Sequence, residues 1–184
     1  LIYILFLNSM DQKIKKKLEE IVRVNHAGEL GAQDIYNSQI KFCKDDKLKK
    51  ELLKISQEEK VHYDYFESLI LKKRIRPTLM SPAWKAGSFF LGVISSRLGS
   101  DYVYACTKAV EEVIVEHYQE QVEYLDKNKI EENLKNKIKK FCEDEDKHRV
   151  NADKSIKKED FSLKIFKGFT RGVTKMAIEI SKKL

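Results

Sequence analysis

The sequence predicts an all-α protein built on a bundle of four long amphipathic helices. Its 184 residues include two prolines and seven glycines, too few for the frequent turns of a sheet protein. Charged residues make up 35% of the chain, which suits the outer faces of long helices. Apolar residues recur three and four positions apart over long segments, as on one face of a helix. The length favours a single domain, which we assign to residues 11–184.

Two of the predicted helices repeat one pattern. Glu59 and His62 interrupt the apolar stripe of the second helix, and Glu145 and His148 interrupt that of the fourth long helix. In each pair the residues lie three apart, so they share a helix face and can reach the same ion. The apolar members of the two stripes are Leu48, Leu52, Ile55, Phe66, Leu69, Leu134, Ile138, Phe141 and Ala152. We interpret this repeat as internal symmetry.

The other two long helices each contribute one inward glutamate. The first helix, from about Lys13 to Cys43, has Glu29 on its apolar face, and the third, from about Tyr102 to Asp126, has Glu111 on its own. Glu112 lies on the charged face of the third helix, so periodicity selects Glu111 as the inward carboxylate.

Four buried carboxylates need compensating charge, because an isolated buried charge is costly. Divalent cations supply that charge, and neutral imidazole completes the coordination. The order Glu, Glu-x-x-His, Glu, Glu-x-x-His is the ligand set of dinuclear carboxylate proteins with a ferritin-like bundle. Iron and manganese both suit these donors. The predicted metal ligands are Glu29, Glu59, His62, Glu111, Glu145 and His148.

The spacing of these residues predicts how the helices connect. The first glutamate and the first Glu-x-x-His are 30 residues apart, and the second set is 34 apart, which allows one tight return in each. A longer crossover, residues 74–99, joins the two halves and contains a helix from about Trp84 to Arg97. We expect Ser100 or Asp101 to cap the next helix.

Two further segments are expected to be helices at a membrane interface. The uncharged run 86–96 is too short to span a bilayer, and residues 162–184 form an amphipathic helix with lysines outside its apolar side. The alternative is that both only cover the bundle. The net charge of +7 favours anionic phospholipid over nucleic acid, since no nucleic-acid motif accompanies it, although a merely solvated surface would give the same charge.

Cysteine usage and the N-terminus carry less information. Cys43, Cys106 and Cys142 are odd in number and widely spaced, which argues against a disulfide framework or a thiolate metal site and favours a reducing compartment. We treat residues 1–10 as a processed or truncated segment of unknown role. Its apolar run is too short to span a bilayer.

Three more polar residues lie near the predicted ligands. His26 is either an ordinary core histidine or a group that orients Glu29. His117 and Tyr118 follow Glu111 within two turns, where a hydrogen bond to a ligating carboxylate or to bound oxygen would give them a catalytic role. The alternative is a buried polar pair without a role in catalysis.

From about Glu20 to its C-terminus, the chain resembles the demethoxyubiquinone hydroxylases. Asn25, Leu30 and Glu116 depart from the usual pattern of that family, which puts the tuning of the site in question but removes no ligand. The segments that carry the resemblance are Arg23-Val24-Asn25-His26-Ala27-Gly28-Glu29, Arg76-Pro77-Thr78, Ala105-Cys106-Thr107, Val110-Glu111-Glu112, His117-Tyr118 and Glu145 to His148.

The resemblance implies the reaction and its surroundings. Two iron ions, held by the six residues that periodicity selects, would reduce dioxygen and hydroxylate the ring of demethoxyubiquinol to demethylubiquinol, with NADH-derived electrons as a candidate reductant. Such proteins are peripheral on the mitochondrial inner membrane, facing the matrix, or on the cytoplasmic face of a bacterial inner membrane. They act with a lipid-presenting partner protein. The resemblance leaves open whether the chain forms a homo-oligomer.

Two other functions are compatible with parts of this pattern. An iron-binding or peroxide-scavenging protein of the ferritin or rubrerythrin type shares the bundle, but the second histidine motif argues against ferritin. The absence of a four-cysteine module argues against rubrerythrin. A scaffold on the membrane surface without enzymatic activity would leave the four inward carboxylates unexplained.

Overall fold

In a computed structural model, which describes residues 2–184 and their side chains from residue 12 onward, the chain is all-α. Within that range it forms six helices and no strand. The helices are α1 (Ile2–Phe42), α2 (Asp46–Lys73), α3 (Ser81–Leu98), α4 (Ser100–Asn128), α5 (Glu132–Ser155) and α6 (Phe161–Lys183). The predicted all-α class is confirmed, and α3 lies in the predicted crossover.

The predicted tight returns are present as two three-residue links. Residues 43–45 join α1 to α2, and the Asp45 carboxylate accepts hydrogen bonds from the first backbone N–H groups of α2. Residues 129–131 join α4 to α5, and there Lys129 adopts a left-handed conformation with φ of 52°. A side-chain cap and a left-handed residue are two ordinary ways to satisfy helix ends.

Two predicted boundaries were wrong. The N-cap of α4 is Gly99, with φ of +113°, a conformation that glycine adopts without steric cost, so neither Ser100 nor Asp101 caps that helix. The Asp101 carboxylate accepts hydrogen bonds from the N–H groups of Lys157 and Lys158 and so fixes the link before α6. The first helix begins at Ile2 rather than near residue 13. The side chains of the 1–10 segment lie outside the described part of the structure.

Apolar layers lie on both sides of the polar middle of α1, α2, α4 and α5. One layer contains Ile21, Phe66, Leu125 and Ile138 with their buried neighbours, and these come from all four helices. The other layer comes from the opposite ends of α1, α2 and α4 and contains Ala32, Tyr36, Leu48, Leu52 and Val103. On α1, α2 and α4 the predicted ligands fall between these two layers, and on α5 they follow the first layer, so the packing shields them from water.

Helices α3 and α6 pack on the outside of this core. α3 lies against α1 and α4, and α6 lies against α4 and α1. At Gly92 the backbone of α3 approaches α1 so closely that a Cβ atom would overlap Ser38 Oγ and lie 2.5 Å from the Ile35 carbonyl oxygen. None of the helices in the described part of the chain has the length and hydrophobicity needed to span a bilayer.

Candidate metal centre

All six predicted ligands come together in one buried layer. Each is between 1 and 5% exposed, and together they form two groups in which one ligand atom per residue lies within 4.8 Å of the others. Glu59 and Glu145 belong to both groups, whereas the other four residues belong to one each. The first group is Glu29, Glu59, His62 and Glu145, and the second is Glu59, Glu111, Glu145 and His148.

The two histidines point the same ring nitrogen at the layer. His62 Nδ1 lies 2.8 Å from Glu145 Oε1, and His148 Nδ1 lies 3.0 Å from Glu145 Oε2. Glu145 thus joins the two groups, each of its oxygens meeting one histidine. Glu59 Oε1 is buried and lies 3.3 Å from His148 Nδ1, so it too faces the other ligands of its group. Carboxylate oxygens and imidazole nitrogens in this number can hold a metal ion.

Three of the four carboxylates bind protons unusually tightly. Burial, followed by the charges of Glu59 and Glu145, raises the pKa of Glu29 well above its usual value. Burial and the same kind of repulsion raise the pKa of Glu111 well above that value too, and burial with the charge of Glu145 raises the pKa of Glu59 to about 7. Mutual repulsion of this kind disappears when a cation takes the place of the protons.

Glu145 is the exception among them. Burial works to raise its pKa, but hydrogen bonds from His148 and His62 prevail and lower the pKa of Glu145 to about 2. Burial likewise works to lower the pKa of His148, and hydrogen bonds to Glu145 and Glu59 raise that pKa to about 12. Glu145 is therefore the carboxylate that remains ionised, with both histidines bonded to it.

Two tyrosines bind the remaining carboxylates across the layer. Tyr36, seven residues after Glu29, donates a hydrogen bond of 2.8 Å to Glu111 of the opposite helix. Tyr118, seven residues after Glu111, donates one to Glu29. A spacing of seven returns a side chain to the same helix face, and the exchanged pairing repeats the internal symmetry. No role of Tyr36 was predicted from the sequence, although its position on the inward stripe was an available signal.

Each of these two histidines also has an acidic residue facing its other ring nitrogen, Nε2. His148 Nε2 lies 2.7 Å from Glu58 Oε2, and His62 Nε2 lies 3.8 Å from Asp144 Oδ2. Glu58 and Asp144 directly precede the two glutamates of the Glu-x-x-His motifs, and each faces the histidine of the other motif. Such carboxylates hold a ligating histidine in one orientation. Neither was predicted from the sequence, because a half-buried acidic residue on a charged helix gives no signal of its own.

His117 and His26 lie outside the two groups of predicted ligands. His117 Nε2 lies 2.7 Å from the amide nitrogen of Gln121, which also pairs with Asn25. Burial, with the charges of Lys182 and Lys17, lowers the pKa of His117 to about 4, so its imidazole is neutral at neutral pH. His26 Nε2 lies 2.7 Å from Glu67 of α2. The structure therefore joins Tyr118 directly to a predicted ligand, and His117 only to the neighbouring amides.

An apolar cavity of about 310 Å³ lies beside the layer, among α1, α3, α4 and α6. A much smaller space of about 10 Å³, lined by Glu29 and Tyr118, adjoins it, and the two share Val24, Gly28, Ile114 and Ile178 as lining. The cavity volume is at the lower end of small-molecule pockets. The apolar cavity thus shares part of its wall with a space that Glu29 lines.

The chain resembles proteins of ubiquinone biosynthesis. It is 40% identical over 139 residues to an NADPH-dependent 3-demethoxyubiquinone 3-hydroxylase, mitochondrial, of Dictyostelium discoideum, covering 74% of this chain and 64% of that protein. The protein of the same name from Homo sapiens is 37% identical over 143 residues, which are 76% of this chain and 65% of that one. The chain therefore spans slightly under two thirds of the length of these two relatives.

A bacterial relative matches over a longer stretch. The 3-demethoxyubiquinol 3-hydroxylase of Rhodospirillum rubrum is 31% identical over 169 residues, covering 91% of this chain and 78% of that protein. The model of the family described as "Ubiquinone biosynthesis protein COQ7" matches residues 16–181, which include all six predicted ligands. The family resemblance found in the sequence is confirmed, and this chain belongs to the ubiquinone biosynthesis protein COQ7 family.

Proposed function

We propose that this chain is a di-iron monooxygenase that hydroxylates the ring of demethoxyubiquinol to demethylubiquinol in ubiquinone biosynthesis. The observation that carries the proposal is the buried layer of four glutamates and two histidines beside an apolar cavity. The names of the relatives, which are hydroxylases of demethoxyubiquinone or demethoxyubiquinol, supply the substrate. The whole of α1, α2, α4 and α5 would then be a ferritin-like four-helix bundle within one domain, residues 11–184.

The reaction requires a reductant as well as dioxygen. One oxygen atom replaces a ring hydrogen as a hydroxyl group, and the other leaves as water, which consumes two electrons and two protons. The names of the Dictyostelium and human relatives specify NADPH. The proposed electron donor is therefore NADPH or NADH, rather than NADH alone. Two iron ions, bound by the six ligands, would supply the electrons to dioxygen and the oxidising power for hydroxylation.

The protein's own residues hold the reacting groups and keep out water. Hydrogen bonds from Tyr36 and Tyr118 fix the orientation of Glu111 and Glu29, the two carboxylates that each serve a single group. Neutral His117, next to Tyr118 and lining the small space at Glu29, would assist in positioning rather than exchange protons. We assign the apolar cavity to the quinol ring, which would reach the iron ions past Ile114.

The outer faces of α3 and α6 would bring the substrate to the cavity. Phe90 and Phe169, both lining the cavity, are 61% and 63% exposed, and Ile94 and Met176 are about half exposed. Grouped exposed apolar residues of this kind are typical of contact with a membrane or a partner. We propose peripheral association there with a mitochondrial inner membrane on its matrix face, or with the cytoplasmic face of a bacterial inner membrane. A lipid-presenting partner protein would bind at the same face, and a homo-oligomer is compatible with it.

Anaerobic loading with iron(II), followed by dioxygen and a reductant, tests the proposal. Wild-type protein is expected to bind two iron ions and to hydroxylate a short-tail demethoxyubiquinol, whereas Glu145→Ala should lose both properties because Glu145 serves both groups. Glu123→Ala, at an exposed position on α4, is the control. Two bound irons without hydroxylated product would favour the iron-storage or peroxide-scavenging alternative.

A further inference from the structure

A second opening reaches the ligand layer, and it is polar. A groove of about 380 Å³ lies among α2, α4 and α5, whereas the apolar cavity lies among α1, α3, α4 and α6. The two openings have no lining residue in common. The polar and ionisable side chains that line the groove include Glu51, Lys54, Glu58, Thr107, His148 and Asn151.

The groove leads to a predicted ligand through one carboxylate. His148, a member of the second group and 5% exposed, forms part of the groove wall. The side chain of Glu58 is 44% exposed and places an oxygen 2.7 Å from His148 Nε2. Glu58 therefore touches solvent on one side and a buried ligand on the other. Lys54 Nζ lies 4.0 Å from the other oxygen of Glu58, but that pair is largely exposed and weak.

A metal ion arriving from water cannot use the apolar cavity. No carboxylate, imidazole or other ionisable side chain lines that cavity, so a divalent cation would have to shed its hydration shell there without replacement, which is prohibitively costly. In the groove, a carboxylate oxygen can replace bound water before the buried ligands are reached. The net charge of +7 repels cations overall, so local carboxylates matter for their capture.

We propose that the polar groove is the route by which divalent metal enters the protein, and that Glu58 receives the ion from solvent before the ion moves past the His148 ring to the buried carboxylates. This inference rests on the proposed dinuclear site. The two openings would then serve different molecules: metal enters among α2, α4 and α5, and the apolar substrate enters at α3 and α6.

Stopped-flow loading of the metal-free protein tests the route, with cobalt(II) as the probe because its visible absorption reports ligation without any catalytic turnover. Glu58→Gln should slow loading about tenfold or more, since charge at the entrance governs association rates. The amide oxygen of glutamine can still accept a hydrogen bond from His148 Nε2 and keep that histidine oriented, so the variant should still bind two ions at equilibrium. Glu67→Gln is a matched control: Glu67 also lies on α2, is 37% exposed and sits 2.7 Å from a histidine Nε2, but that histidine is His26, which is in neither group.

A second variant blocks the groove physically. Asn151 is exposed at its wall, so Asn151→Trp obstructs the entrance without burying new atoms in the core, and it should also slow loading. Loading of both Glu58→Gln and Asn151→Trp at the wild-type rate would overturn the proposed route. A Glu58→Gln protein that binds fewer than two ions would also overturn it, because the Glu58 carboxylate would then be needed to hold the ions rather than to admit them. Failure of the wild type to bind two ions would instead contradict the proposed site itself.

Discussion

The most informative perturbation is Glu59→Gln in the metal-free protein, because it separates the needs of the site from those of the fold. Burial and the charge of Glu145 raise the pKa of Glu59 from 4.5 to about 7. At about 1.4 kcal/mol per pKa unit, ionising this side chain in the folded, metal-free protein costs about 3 kcal/mol. Glutamine has the same shape and no charge, so it should avoid this cost.

The sign of the effect follows from the raised pKa of Glu59. The folded protein holds the Glu59 proton more tightly than the unfolded chain does. The contribution of this proton to the free energy of unfolding is therefore fully present below pH 4.5 and is lost as the pH rises through about 7. Metal-free Glu59→Gln should therefore be about 3 kcal/mol more stable than the wild type at pH 8, and less than about 1 kcal/mol more stable at pH 5.

Urea unfolding of chelator-treated protein at the two pH values measures this difference, with Glu123→Gln as a surface control. The same Glu59→Gln substitution should abolish binding of both metal ions, because Glu59 belongs to both groups. Stabilisation of the fold together with loss of the metal is the signature of a residue retained for function. An equal or lower free energy of unfolding for Glu59→Gln at pH 8 would refute the reasoning.

Two other predictions concern the outer helices. Phe90→Glu should weaken flotation with anionic liposomes about tenfold or more, since a phenylalanine buried in the bilayer contributes about 1.5–3 kcal/mol to binding. Val61→Glu, at a similarly exposed position on α2, should float like the wild type. Equal flotation of the two variants would count against membrane contact at α3. Gly92→Ala should lower the free energy of unfolding by about 1–3 kcal/mol because α3 is forced away from α1. Gly87→Ala, with no atom within 4 Å of the added methyl, should instead raise it by about 0.5–1 kcal/mol, and a similar loss in both would show that close packing at Gly92 is not the cause.

The sequence was sufficient to predict that these six residues share one buried layer, because the determinants of that layer are periodic. Glu111 and Glu112 are neighbours, yet the stripe placed one inward and the other outward, and in the structure Glu111 is 2% exposed whereas Glu112 pairs with Arg171 at the surface. The apolar residues before and after each glutamate repeat on all four helices, so a single side of each helix satisfies the pattern.

Interactions between helices were not predictable in the same way. The contact of Glu58 with His148 depends on how α2 and α5 are rotated about their axes, and no spacing within one helix encodes that rotation. The same holds for the exchange of Tyr36 and Tyr118 between α1 and α4, although their equal spacing from a glutamate could have indicated it. Gly99 was missed as the cap of α4 because capping by a glycine depends on its backbone angle rather than on a side chain.

The count of metal ions per chain, in the wild type and in variants that each remove ligands from one group or from both, tests the central claim most directly. Anaerobic iron(II) loading should give two ions for the wild type, one for His62→Ala, one for His148→Ala and none for Glu145→Ala, because the first two residues serve one group each and the third serves both. A wild type that binds no stoichiometric metal, or four proteins that bind the same number of ions, would contradict the assignment of these residues as ligands of a dinuclear centre.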